Sequence, residues 1–164
     1  MFASEILSLA KTALDACRAR GWHVATAESC TGGLVAAALT AIAGSSDVVE
    51  RGFVTYSNEA KSQMLGVPPA TIAAHGAVSA EATAAMAQGA IVRAAVDLAV
   101  AITGIAGPGG GSVEKPVGLV IFGLALRDGE CRTHRHVFPG DRTAVRDAAL
   151  KMALGLLADA AKSE

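Results

Sequence analysis

Residues 27–33 read AESCTGG, a polar and thiol-bearing run between the apolar stretches WHVAT and LVAAALTAIA. A strand that turns into a helix needs one small polar cap and perhaps a glycine. Glu28, Ser29, Cys30 and Thr31 in succession, followed by Gly32 and Gly33, exceed that need. A side chain placed where a strand ends and a helix begins has free backbone N–H groups and the helix dipole beside it. Those groups can stabilise an oxyanion or bind a phosphate. Ser29 and Cys30 are the candidate nucleophiles, although the run does not follow the G-x-S-x-G pattern of a nucleophile elbow. A serine is inert until a base takes its proton. A cysteine thiolate would call for a nearby histidine, and no local pattern supplies one, so Cys30 reads as a buried structural thiol.

The segment FVTYSNEAKSQMLG offers a base. Ser57 or Asn58 can cap a helix there, and Glu59 suits its first turn, but Lys61 does not, because the dipole disfavours a cation at that end. A lysine so placed makes sense if it must be neutral. Burial and a helix N-terminus both lower its pKa from about 10.4, and a lysine brought to about 7–8 can act as a general base. Tyr56 stands just ahead, where its hydroxyl could orient the lysine or relay a proton. The residues also allow the plainer alternative of an exposed Lys61 on a solvated helix.

One loop, TGIAGPGGGSVEKP, is rich in glycine. It lacks the Gly-Lys-Ser/Thr of a Walker motif, and a strand rather than a helix follows it, so no dinucleotide fingerprint is present. Long glycine-rich loops inside compact domains tend to be functional, and this one follows an apolar strand, beyond whose end α/β ligands bind. His134 and His136 share one face of a predicted strand without a third ligand at metal-binding spacing, so no metal site is expected.

The elements that must position these residues alternate. Helix 4–20, ended by Gly21, precedes strand 22–28, helix 32–43 and strand 48–57. A short helix over 58–66, a helical turn near 70–76 and a helix over 79–96 capped by Ser79 come next. Strands over 97–105 and 116–126, an Asp128-Gly129 hairpin, a returning strand over 131–138 and a closing helix from Asp141 complete the chain. The strands over 97–105 and 116–126 are apolar throughout, as strands buried on both faces must be. The pattern predicts a single α/β domain over 1–164, a three-layer α/β/α arrangement whose mixed, mostly parallel sheet is covered by helices on both faces.

Composition narrows the function classes. Apolar residues make up 52% of the 164, but aromatics only 4%, so the core must be built from small side chains. Every long apolar run is interrupted, which argues against a membrane span. The net charge is −1 and no basic stripe appears, which argues against nucleic acid as a partner. Arg132, Arg135, Arg142 and Arg146 are the nearest approach to one, and they are split between a strand and a helix. Three widely spaced cysteines form neither a disulfide framework nor a zinc site, and reduced thiols suit a cytoplasmic protein.

Three segments taken in order, AESCTGG, TYSNEAK with LGV, and AITGIAGPGGGSVEKPVG, resemble the CinA C-terminal domain family, whose stand-alone members are nicotinamide-nucleotide amidases. The similarity spans roughly residues 5–161 and takes in the late PGDR. It implies an α/β/α hydrolase of the carboxamide of nicotinamide mononucleotide, releasing nicotinate mononucleotide and ammonia, without metal or cofactor. It implies Ser29 as nucleophile, Lys61 as base and Tyr56 as assistant. Larger family members carry an N-terminal domain absent from this sequence. Substrate contacts are expected from Cys30, Thr31, Gly32, Gly33, Thr103, Gly104, Gly107 and Arg142, with Arg142 the first choice for the phosphate. A homo-oligomer, a dimer or larger, is expected as well. Two other functions stay open: a non-catalytic pyridine-nucleotide-binding module, and an amidase of another small amide.

Overall fold

The protein is described by a computed structural model over residues 1–162. Helix α1 (Ser4–Ala19) leads to β1 (Val24–Glu28), α2 (Leu34–Thr40), a short 3-10 turn (Ser45–Asp47) and β2 (Val49–Val54). Then come α3 (Asn58–Leu65), α4 (Pro69–His75), α5 (Ala80–Ala94), β3 (Leu98–Gly104), β4 (Leu119–Leu126), β5 (Cys131–Val137) and α6 (Arg142–Lys162). The sheet order is β2-β1-β3-β4-β5. Strand β1 pairs parallel with both β2 and β3, and β4 pairs antiparallel with β3 and β5. Four strands therefore run one way and β4 alone runs against them, the mixed, mostly parallel sheet that the alternation of elements predicts.

Strand sequence explains strand position. The central β1, β3 and β4 are buried along nearly their whole length, whereas the edge strand β5 (CRTHRHV) is polar and largely exposed. Within the central strands the side-chain period of two sorts residues by size. Val24, Leu98, Val100 and Ile102 face the layer of α1, α2 and α6, while Ala25, Ala27, Ala99 and Ala101 face that of α5. Helix α5 meets this alanine face with its own Ala87, Ala90 and Ala94. Alanine on alanine lets helix and sheet approach closely. At Gly123 on β4 an added Cβ would lie 2.8 Å from the carbonyl oxygen of Thr83. A core of this kind needs few aromatic side chains, which accounts for their scarcity in the composition.

Several element boundaries fall short of expectation, with β1 starting at Val24, α2 ending at Thr40 and β4 starting at Leu119, and two further differences bear on the site. Helix α2 starts at Leu34, not 32, because Gly32 and Gly33 take left-handed backbone angles, φ 61° and 96°. Strand β2 stops at Val54, three residues early, and Thr55 leaves the ladder after donating its N–H to the Glu28 carbonyl at 2.8 Å. Both departures free the chain to turn where the candidate residues stand.

Candidate active site

The end of β1 is gripped on both sides. Thr55 N–H bonds the Glu28 carbonyl, and Ser29 N–H bonds the Ile102 carbonyl at 2.8 Å, so the segments on either side hold Ser29 one residue past the strand. The turn that follows is built on Glu28. This fully buried carboxylate accepts the N–H groups of Gly33, Val35 and Ala36 at 3.1, 3.1 and 2.9 Å. Gly33 is the N-cap of α2 and offers no side-chain acceptor, so Glu28 caps the helix from the strand before it. A residue with a side chain at Gly33 would be strained at φ 96° and would crowd Val54.

Lys61 arrives from the other side. Ser57 caps α3 by accepting the Ala60 N–H at 3.0 Å, which places Lys61 in the first turns with its side chain leaning back toward the helix start. Its Nζ lies 3.0 Å from the Ser29 Oγ and donates to the Thr55 carbonyl at 2.9 Å. The residue is 1% exposed, and burial holds its pKa below the ordinary lysine value. Among the described residues no carboxylate pairs with it, and the nearby Glu28 is occupied by three amides. The thiol of Cys30, 7% exposed, is pushed up to about 11, chiefly by burial, so it stays protonated at neutral pH.

Tyr56 is 61% exposed, and its hydroxyl accepts from Arg142 at 3.0 Å; the partners of Lys61 are Ser29 and the Thr55 carbonyl. Arg142, at the start of α6, also donates to the Gly107 carbonyl at 2.9 Å. Ser29, Cys30, Tyr56, Lys61, Thr103, Gly104 and Arg142 all line one cavity of about 210 Å³. Thr31, Gly32, Gly33 and Gly107 lie outside its wall. The N–H of Gly32 bonds the Ser29 carbonyl and that of Gly33 bonds Glu28, so both are already occupied. The Thr103 hydroxyl is likewise occupied by the Ala77 carbonyl at 3.1 Å.

Sequence reasoning missed several contributors. Asn58, Ala77, Val78 and Ala106 complete the wall, and Glu28, the Thr55 carbonyl and Arg146 support it from behind. Arg146 had a signal: it stands four residues, one helical turn, beyond Arg142. A larger cavity of about 690 Å³, with Trp22, Leu124, Leu126 and Leu156 in its wall, opens at the opposite end of the sheet and contains neither Ser29 nor Lys61.

The model of the CinA C-terminal domain matches residues 6–161, and the chain belongs to that family. Nicotinamide-nucleotide amidohydrolase PncC of Escherichia coli K12 is 56% identical over 94% of this chain and 93% of its own. A CinA-like protein of Geobacter is 59% identical over 79% of this chain but only 31% of its own length. Among solved structures, the competence/damage inducible protein CihA of Agrobacterium tumefaciens superposes with a TM-score of 0.94 at 49% identity, covering 99% of both chains. A CinA superfamily protein of Klebsiella pneumoniae gives 0.91 at 41% identity, over 95% of this chain and 97% of its own.

Proposed function

We propose that this chain is a nicotinamide-nucleotide amidase, hydrolysing the carboxamide of nicotinamide mononucleotide to nicotinate mononucleotide and ammonia. The observation that carries the reading is the 3.0 Å contact between Lys61 Nζ and Ser29 Oγ in a buried setting. The named activity of relatives that match almost end to end supports the substrate.

A neutral lysine amine has two N–H bonds and one lone pair. With one N–H held by the Thr55 carbonyl, the lone pair is available to the Ser29 hydroxyl. Lys61 takes that proton as Ser29 Oγ bonds to the carboxamide carbon, and the carbonyl oxygen becomes an oxyanion. Cys30, which lines the cavity, supplies the backbone donor, because the Gly32 and Gly33 N–H groups are used within the chain and Thr31 is buried outside the wall. The tetrahedral adduct then breaks its C–N bond. The Lys61 ammonium returns the proton to the departing nitrogen, ammonia leaves, and water cleaves the acyl-enzyme by the same route. Tyr56 and Arg142 act at the mouth. A 210 Å³ cavity is too small to enclose a nucleotide. It suits the carboxamide-bearing ring, leaving ribose and phosphate beside Arg142 and the Tyr56 hydroxyl.

We further infer a single domain that works in the cytoplasm as a homo-oligomer, the three unpaired cysteines suiting a reducing compartment. No helix among the described residues is long and apolar enough to cross a membrane.

One assay tests the function. Purified protein is given nicotinamide mononucleotide, nicotinamide or glutamine, and ammonia is measured. Release from the nucleotide alone is expected, with Ser29→Ala and Lys61→Ala abolishing it while nucleotide binding persists. Release from another amide only, or binding without release, would transfer the assignment to the corresponding alternative. A fully active Lys61→Arg would remove the base role, since arginine stays charged.

A further inference from the structure

We infer that Arg146 is a positioning residue for the oxyanion-binding turn, setting the turn that receives the negative charge without itself touching substrate. The inference rests on the amidase reading above and adds a residue to it. From α6, Arg146 donates through Nε to the Cys30 carbonyl and through a terminal nitrogen to the Thr31 carbonyl, both at 3.1 Å. A planar guanidinium spanning two successive carbonyls fixes the plane of both peptides at once.

The consequence follows from peptide geometry. In a trans peptide the N–H points away from the C=O. Holding the Cys30 carbonyl against α6 turns the Thr31 N–H away from that helix. Holding the Thr31 carbonyl does the same for the Gly32 N–H, which closes on the Ser29 carbonyl at 3.0 Å. Among the described residues no acceptor meets the Thr31 N–H, and the Cys30 N–H has only its own sulfur beside it. Of the two only Cys30 lines the cavity, so its N–H is the donor left to a substrate, and it sits on the peptide whose Ser29 carbonyl the Gly32 N–H holds. The partly buried guanidinium is not part of the cavity wall, so it acts through the backbone. Arg142, one turn earlier, does line the cavity and ties down Tyr56 and Gly107 instead. One face of α6 thus divides its work, with one arginine at the mouth and one behind the turn.

The test compares ground state with tetrahedral state. Removing an oxyanion donor outright costs about 10²–10³ in turnover. Displacing one should cost less, so Arg146→Ala is expected to lower kcat about 10- to 100-fold with KM within about threefold of the parent. Nicotinaldehyde mononucleotide, whose carbonyl adds the Ser29 hydroxyl to form a tetrahedral adduct, should lose affinity in parallel with kcat. The product nicotinate mononucleotide should bind almost unchanged. Arg146→Lys, which keeps the charge but not the planar fork, should fall between the two enzymes in kcat. Equal weakening of aldehyde and product, or a kcat within threefold of the parent, overturns the inference. If Arg146→Ala does not fold, the same measurements on Arg146→Lys decide it, and parental kcat and aldehyde affinity there overturn it. Absence of ammonia release from the parent protein would sink the amidase reading, and this inference with it. A working parent beside an unaffected variant sinks the inference alone.

Discussion

On the proposed mechanism a single amine, that of Lys61, sets the pH behaviour of turnover. Burial lowers the Lys61 pKa, so the active, unprotonated form gains population at a lower pH than an exposed lysine would allow. The kcat/KM profile should rise with pH along an acid limb whose midpoint lies below pH ~10.4, the ordinary lysine value. An acid limb centred at that ordinary value would count against Lys61 as the base. The same shift has a stability consequence. Between the folded and the ordinary pKa the unfolded chain holds a proton that the folded chain has released, so stability rises with pH across that window. Lys61→Met should therefore raise the melting temperature, by an amount that shrinks as pH climbs toward the ordinary value. Cys30 makes the opposite case. With its thiol near 11, only about one molecule in a thousand carries the thiolate at pH 8. Iodoacetamide at that pH should leave activity intact over an hour, and Cys30→Ala should keep most of its turnover. The two residues that meet, Ser29 and Lys61, stood out in the sequence as an excess of polar residues at one turn and a cation at the wrong end of a helix. The task of Glu28 was not visible, because a carboxylate that reaches forward to the next helix looks the same on paper as one facing solvent.

Helix α2 shows what that carboxylate contributes to an element. Only seven residues long, with a left-handed glycine as its cap, it has little helical stability of its own. Three of its early N–H groups end on Glu28. Glu28→Gln would set an amide NH2 against those donors and remove the charge, and should cost about 2–3 kcal/mol in chemical denaturation. Turnover should fall as well on the proposed mechanism, since Ser29 and the Cys30 N–H occupy the same turn. An unchanged midpoint in urea would show that α2 holds without this cap. Capping by Ser57, Ser79 and Asp141 was readable from the sequence, because each acceptor stands immediately before the helix it serves. Strand and helix identities were equally plain from their periods. The early end of β2 was not, since VVERGFVTYS carries strand-forming residues beyond Val54, and the departure of Thr55 is set by its neighbour β1 rather than by its own type.

At the scale of the whole molecule, the three strands β1, β2 and β3 point their C-terminal ends the same way, and the site lies in the crevice beyond them. Helix α6 packs across that framework through Val145, Ala149, Leu150, Ala153, Leu154 and Leu157, all in the core shared with α1 and the sheet. Leu154→Ala, at a fully buried position, should cost about 2–5 kcal/mol and lower the melting temperature by roughly 5–15 °C. A shift under about 2 °C would mean that the site collapses around the loss or that α6 contributes little to the core. The layered architecture was legible in the order of elements, whereas the convergence of the site was not, because Ser29, the pair Tyr56 and Lys61, and Arg142 come from three separate segments. Arg142 and Arg146 lie on the first turns of α6, and together they tie down the turn after Ser29, the tyrosine and the glycine-rich loop. Turnover is therefore a sensitive gauge of whether one helix end is seated. Fraying of that end by a few ångströms would silence the protein while circular dichroism still recorded a native fold.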